Sequence, residues 1–200
     1  MPRPAGSHPW LTRERPPHET PGHTGRLQRS RRGAPAEENE TSTTIRLAAA
    51  EDRALLVPLV LAFRDHLRQR SPSESEVASS LERLLADPAT DFIVALSGQG
   101  ASIGYAQVRY RYSLWVVGCE AQLDDLFVLP LSRRCGLGSR LLESAVARAR
   151  ERGCRVIGLN TNDRNVEALR LYARAGFSAV RARWQGGRQL WLERPITGAA

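Results

Sequence analysis

From about Thr44 onward, short period-two runs of apolar residues alternate with longer stretches of helical period. Thr44-Ile45-Arg46-Leu47 reads as a short strand. From Glu51, the positions Leu55, Leu56, Leu59, Val60, Phe63 and Leu67 recur at helical spacing, with Pro58 either kinking that helix or marking a later start. Ser73 followed by Glu76 is a capping-box arrangement, and it opens a second helix through Val77, Leu81, Leu84 and Leu85 that Asp87-Pro88 ends. Phe92 to Leu96 and Ser102 to Tyr112 form two strands about the turn Ser97-Gly98-Gln99-Gly100. A loop around Ser113 to Gly118 leads to a fourth strand, Glu120 to Val128. Its alternation puts Gln122, Asp124, Leu126 and Val128 on one face and Leu123, Asp125 and Phe127 on the other.

Pro130 closes that strand, and an amphipathic helix with Leu137, Leu141, Ala145 and Ala149 on one face follows. Arg155 to Asn160 is a fifth strand, parallel to the fourth if the helix is a crossover. A further helix begins at Asn165 and must turn back at Gly176, a suitable C′ residue. The hairpin Ala179 to Gln185 and Arg188 to Arg194, about Gly186-Gly187, completes the order β-α-α-β-β-β-α-β-α-β-β: seven strands and about four helices in one α/β (α+β) domain spanning residues 43–196.

Composition changes the picture mainly at the start. Residues 1–40 hold seven prolines, four glycines, seven arginines and three of the four histidines, with almost no aliphatic residues. Such a segment buries too little apolar surface to offset the entropy of ordering it, so we expect a disordered extension whose irregularly spaced His8, His18 and His23 are solvated. Length and a 42% hydrophobic content suit one domain with a proper core. The net charge of +8 comes from 29 arginines interspersed with acids, which reads as coding bias rather than a nucleic-acid surface, and excess positive charge also suits a polyanionic ligand. Cys119, Cys135 and Cys154 show neither a C-x-x-C pair nor metal-ligand spacing, so we expect reduced thiols, no metal and a cytoplasmic protein. No apolar run is long enough to span a bilayer, and no signal-peptide h-region opens the chain.

The candidate chemistry begins at the strand-turn-helix Leu126 to Ala149. The first turn of a helix leaves N–H groups unpaired at the positive end of the macrodipole, so Cys135, Gly136, Leu137, Gly138 and Ser139 can offer several donors to a phosphate at once. Gly136 and Gly138 let the backbone approach a bulky pyrophosphate, and Arg133 and Arg134 add charge. Two rival phosphate loops fail: a P-loop needs Gly-Lys-Ser/Thr and the chain has no lysine, and a dinucleotide fingerprint needs glycine where Leu141 stands.

The pattern Arg133-x-x-Gly136-x-Gly138 resembles the acyl-CoA pyrophosphate loop of the GNAT superfamily of N-acetyltransferases. Asn165, Ala168, Tyr172 and Gly176-Phe177, on one helical face at a suitable distance behind it, resemble that superfamily's second motif. Ser113-Leu114-Trp115 and the run Gln122 to Val128 are also similar to members of it. The resemblance covers about Thr44 to Pro195 and implies a mixed, centrally splayed sheet whose fourth and fifth strands part to admit the pantetheine of acetyl-CoA as cosubstrate. It further implies cofactor contacts from Leu126, Phe127, Val128, the 133–139 turn, Asn160, Asn165 and Tyr172. Tyr172 would protonate the departing thiolate, and an acid among Asp124, Asp125 and Glu120 would deprotonate the amine; many members carry Glu where this chain has Asp124 or Asp125. Phe63, Tyr110, Tyr112 and Trp115 would line the acceptor pocket, and His66, at a helix end, is expected to be exposed. The implied partner is an amine of a small molecule or peptide, with a homodimer left open. The rival reading is a non-catalytic acyl-CoA sensor or interaction module on the same fold.

Overall fold

The structure, a computed structural model, describes residues 43–179. Within them the order is β1 (Thr44–Leu47), α1 (Arg53–His66), α2 (Glu74–Leu85), β2 (Thr90–Leu96), β3 (Ser102–Ser113), β4 (Gly118–Val128), α3 (Leu137–Glu151), β5 (Val156–Leu159) and α4 (Val166–Arg174). The hairpin expected after Ala179 and the extension expected before residue 40 lie outside the described residues, so five of the seven expected strands are seen. They form one sheet in the order β1-β2-β3-β4-β5, antiparallel except for the parallel pair β4–β5, as a helical crossover between those two strands requires.

Local chemistry accounts for the helices. The expected capping box forms: the Glu76 N–H donates to Ser73 Oγ, and the Ser73 N–H donates to a Glu76 carboxylate oxygen at 2.7 Å. Pro58 does not delay α1, which starts at Arg53 and runs through it. A proline at the sixth helical position forfeits only the bond its own N–H would give the first turn.

Each sheet face has its own core. On one, Leu137, Leu141, Leu142, Ala145 and Ala149 of α3 pack on Ile93, Ala106, Val108, Ala121 and Leu123. On the other, Leu56, Leu59, Val77 and Leu81 of α1 and α2 pack on Phe92, Val94, Tyr105 and Phe127. These buried residues fix which way each strand presents its side chains, and they expose a correction. Gln107 pairs with Asp125 while Val108 pairs with Leu123, so Asp124 is an extra residue, a β-bulge. Strict alternation therefore fails: Ala121, Leu123, Leu126 and Val128 all meet the α3 core, whereas Phe127 faces α1 and α2.

A second correction concerns the cysteines. Cys119, near the start of β4, and Cys154, just before β5, are joined as a disulfide with Cα atoms 4.3 Å apart; only Cys135 is free, and it is exposed. Parallel pairing of the two strand starts brings together residues 35 positions apart, which spacing along the chain does not reveal. No helix among the described residues is long and apolar enough to cross a membrane.

Candidate functional site

The pairing of β5 with β4 ends at Leu123–Leu159, immediately before the bulge, while β4 continues to Val128. From Asp124 on, that edge of β4 has no strand partner from β5 among the described residues. The two strands thus part where the sheet was expected to splay. A cavity of about 690 Å³ occupies the gap, bounded by the end of β4, the 133–139 turn, the loop after β5, α4 and the last turn of α1. Its size suits an extended organic ligand.

The α3 side of the cavity is a helix start without a capping side chain. Gly136 is the N-cap residue, at φ +78°, a left-handed conformation that glycine adopts freely. It has no side chain to satisfy the first-turn N–H groups, which remain available to an anion. Gly138 lines the cavity, and a Cβ there would meet only Leu171 Cδ2, at an ordinary 3.7 Å. The fold itself therefore does not demand glycine at 138. A ligand lying against the backbone would.

Of the two arginines, Arg133 is held in place: its Nε donates to the Val128 carbonyl at 2.9 Å, and its guanidinium sits 5.7 Å from the centre of the Phe127 ring. That bond engages one of the backbone groups expected to pair with the pantetheine. Arg134 is largely exposed, with Glu167 3.9 Å away. Leu137, Ser139 and Asn160 line the cavity, but Cys135 does not, its Sγ donating to the Ser132 carbonyl.

Tyr172 also lines the cavity, and its position follows from the end of α4. The Phe177 N–H donates to the Tyr172 carbonyl and the Gly176 N–H to that of Ala173, with Gly176 at φ +84°, which is a Schellman motif. The turn folds Phe177 back on Tyr172, ring centres 6.0 Å apart and edge-on. Burial pushes the phenol above its ordinary pKa, so it keeps its proton through the neutral range. Asn165 is the N-cap of α4, its Oδ1 accepting from the Ala168 N–H at 3.3 Å, while the residue also borders the cavity. A capping function was legible in an Asn placed immediately before an apolar helical run.

The three acids separate in space. Asp124 lines the cavity and is ion-paired with Arg109. Asp125 accepts a hydrogen bond from the fully buried Tyr105 hydroxyl at 2.9 Å; burial pushes its carboxyl up, against the opposing effect of that hydrogen bond. Glu120 is buried 3.7 Å from Arg111 and does not border the cavity.

The aromatic residues separate too. Phe63 lines the cavity and stacks on Phe127 at 5.1 Å, and exposed His66 borders it with its ring 6.0 Å from Phe127. Tyr110 does not reach the cavity: on β3 it lies on the α3 face, where its hydroxyl donates to Asp91 at 3.0 Å under the guanidinium of Arg152. Tyr112 and Trp115 are 74% and 77% exposed on the β3–β4 hairpin, away from the cavity lining. The cluster of Asp91 with Arg148 and Arg152 had no sequence signal, its members lying 57 and 61 positions apart.

A mixed sheet that opens beside a glycine-led, uncapped helix start defines an acyltransferase-type α/β domain. Residues 60–177 match the model of the Acetyltransferase (GNAT) family, and the chain belongs to that family. It is 32% identical over 133 residues to YhfO of Bacillus subtilis strain 168, an uncharacterized N-acetyltransferase, a match taking in 66% of this chain and 88% of the relative. It is 29% identical over 112 residues to an aminoglycoside N(6′)-acetyltransferase type 1 of Serratia marcescens, covering 54% of this chain and 76% of that one. A crystal structure from Arthrobacter sp. FB24, provisionally named an acetyltransferase, is 27% identical with a TM-score of 0.67 over 82% of this chain and 99% of its own.

Proposed function

We propose that the protein transfers an acetyl group from acetyl-CoA directly to a primary amine of a small molecule. The observation that carries this reading is the coincidence, in one cavity, of an uncapped helix start, an unpaired strand edge and a half-buried phenol. The N–H groups of residues 136–139 hold the diphosphate, with Arg133 and Arg134 beside it, and the open edge of β4 from Leu126 to Val128 aligns the pantetheine as an added strand. A backbone N–H near Phe127 polarises the thioester carbonyl.

The amine attacks the thioester carbon, the N–C bond forms and the C–S bond breaks. A primary amine with a pKa near ~10.4 is mostly protonated at neutral pH, so it must lose a proton before attack. Of the three acids, Asp124 alone borders the cavity, and it takes that proton directly or through water. The Tyr172 hydroxyl supplies a proton to the departing thiolate, and the nitrogen sheds its second proton as the amide forms, which restores the phenol through water. Relatives of this chain include aminoglycoside and thialysine acetyltransferases, which supports an amine acceptor.

Release of free CoA thiol over a panel of amines, beside calorimetry with acetyl-CoA, tests the reading. Turnover of any amine supports it, whereas binding without turnover favours a sensor and no heat at all sinks acetyl-CoA use. Gly138→Ala is expected to raise the KM for acetyl-CoA about tenfold, because the added methyl occupies the ligand's approach. The variant should keep the parent's Tm or exceed it, since alanine is the better helix former and 3.7 Å is ordinary contact. Asp124→Asn is expected to lower kcat about tenfold or more, because the amide cannot take the proton of the amine. A kcat within about twofold of the parent would place the base elsewhere.

A further inference from the structure

The acids near the opening of the sheet are already committed to partners. Asp124 is ion-paired with Arg109, Glu120 lies 3.7 Å from Arg111, and Asp125 is held by the Tyr105 hydroxyl at 2.9 Å. Among the described residues that line the cavity, the acids are Asp124 and Glu167, against Arg133, Arg134, Arg170 and Arg174. A polyamine or an aminoglycoside brings several ammonium groups into such a site. Each amino group beyond the reacting one needs a further carboxylate, because a desolvated ammonium without a counter-charge is costly. Among the described residues, the lining offers beyond Asp124 only Glu167, which lies 3.9 Å from Arg134.

Apolar surface is what the last turn of α1 does offer. Phe63 stacks on buried Phe127, His66 lies beside the same ring, and Leu67, at the helix end, is 53% exposed while lining the cavity. Solvent-facing apolar groups inside a concave site are the usual means of holding the non-reacting part of a ligand.

Resting on the acetyltransferase reading above, we propose that the acceptor is a primary monoamine with an apolar or aromatic body, which lies on Phe63, His66 and Leu67 and presents its one amino group toward Asp124. Polycationic acceptors are disfavoured, because each acid in the described part of the lining has an arginine beside it.

Steady-state release of CoA thiol by the full chain tests this with phenethylamine, tobramycin, spermidine and L-phenylalanine. The kcat/KM for phenethylamine should exceed each of the others by at least tenfold. Phe63→Ala should raise the KM for phenethylamine about tenfold and leave that for acetyl-CoA within twofold; His66→Ala, at an exposed position, gives the same split more weakly should the first variant fold poorly. Arg109→Gln, which frees Asp124, should raise the spermidine-to-phenethylamine ratio of kcat/KM at least threefold. Preference for tobramycin, spermidine or phenylalanine overturns the proposal, as does an unchanged ratio in Arg109→Gln. Calorimetry with acetyl-CoA separates the two levels: heat of binding without turnover of phenethylamine refutes this acceptor class, whereas no heat refutes the underlying acetyl-CoA reading.

Discussion

Tyr172→Phe is expected to lower kcat by about a hundredfold at saturating acetyl-CoA, the lower end of what a positioned general acid contributes. The substitution deletes one oxygen and keeps the ring. Packing on Phe177 at 6.0 Å is retained, and the backbone bonds of the turn, from the Phe177 and Gly176 N–H groups, do not involve the side chain. Stability should therefore stay near that of the parent, separating loss of chemistry from loss of fold. The sign of the pH effect follows from burial: the phenol is raised above its ordinary value, so it remains protonated through neutral pH and only begins to ionise above the usual tyrosine range. A parent enzyme acting through this proton loses rate on the alkaline side, and the variant should lack that dependence. Binding of acetyl-CoA, driven by the helix start and the strand edge, should change little. Turnover within about twofold of the parent, with the same alkaline profile, would remove Tyr172 from the mechanism.

The features legible in the sequence are those written locally. The turn at 133–138, the capping box at Ser73 and Glu76, and the spacing of Tyr172 before Gly176 each depend on residues within one helical turn or so of one another, and each was found where expected. The bulge at Asp124 was not legible, because it is a property of pairing: it exists only as a mismatch between the partners of Gln107 and Val108. Missing it reversed the expected faces of part of β4.

Tyr110 and Tyr112 were misplaced for a related reason. Tyr105 is buried against α1 and α2, and β3 carries no extra residue after it, so positions five and seven along have the opposite parity and face α3. The information was present in the alternation, but the identity of the inner face became fixed only once the helices were seen to pack. The disulfide between Cys119 and Cys154 likewise required the parallel register of β4 and β5.

What the sequence left wholly unseen is the clamp that fastens α3 to the sheet, and its removal carries the largest expected effect on stability. Asp91 on β2 is 11% exposed at its side chain and receives both Nε and a terminal nitrogen of Arg152, Nε of Arg148 and the hydroxyl of Tyr110, all between 2.7 and 3.0 Å. Burial by itself raises such a carboxyl, yet the hydrogen bonds from Arg152, Arg148 and Tyr110 outweigh it and hold the group below the ordinary carboxylate range. Asp91→Ala takes the buried carboxylate from two guanidinium groups, each only about a quarter exposed, leaving Arg148 with Glu151 and Arg152 with the Pro88 carbonyl, and it leaves the Tyr110 hydroxyl without its acceptor. Breaking a largely buried ion pair from one side costs several kcal/mol, and discounting for the partial exposure of the arginines leaves about 2–3 kcal/mol, or a fall in Tm of roughly 6–10 °C. Because the folded-state pKa is depressed, the contribution is present above the unfolded value and is lost as pH falls through the folded one. The gap in Tm between parent and variant should accordingly be full at neutral pH and close progressively below about pH 4. Asp91→Asn, which keeps an acceptor oxygen and loses the charge, should fall between the two. A Tm for Asp91→Ala within about a degree of the parent at pH 7 would mean that the apolar packing of Leu141, Leu142 and Ala145 holds α3 on the sheet without the clamp.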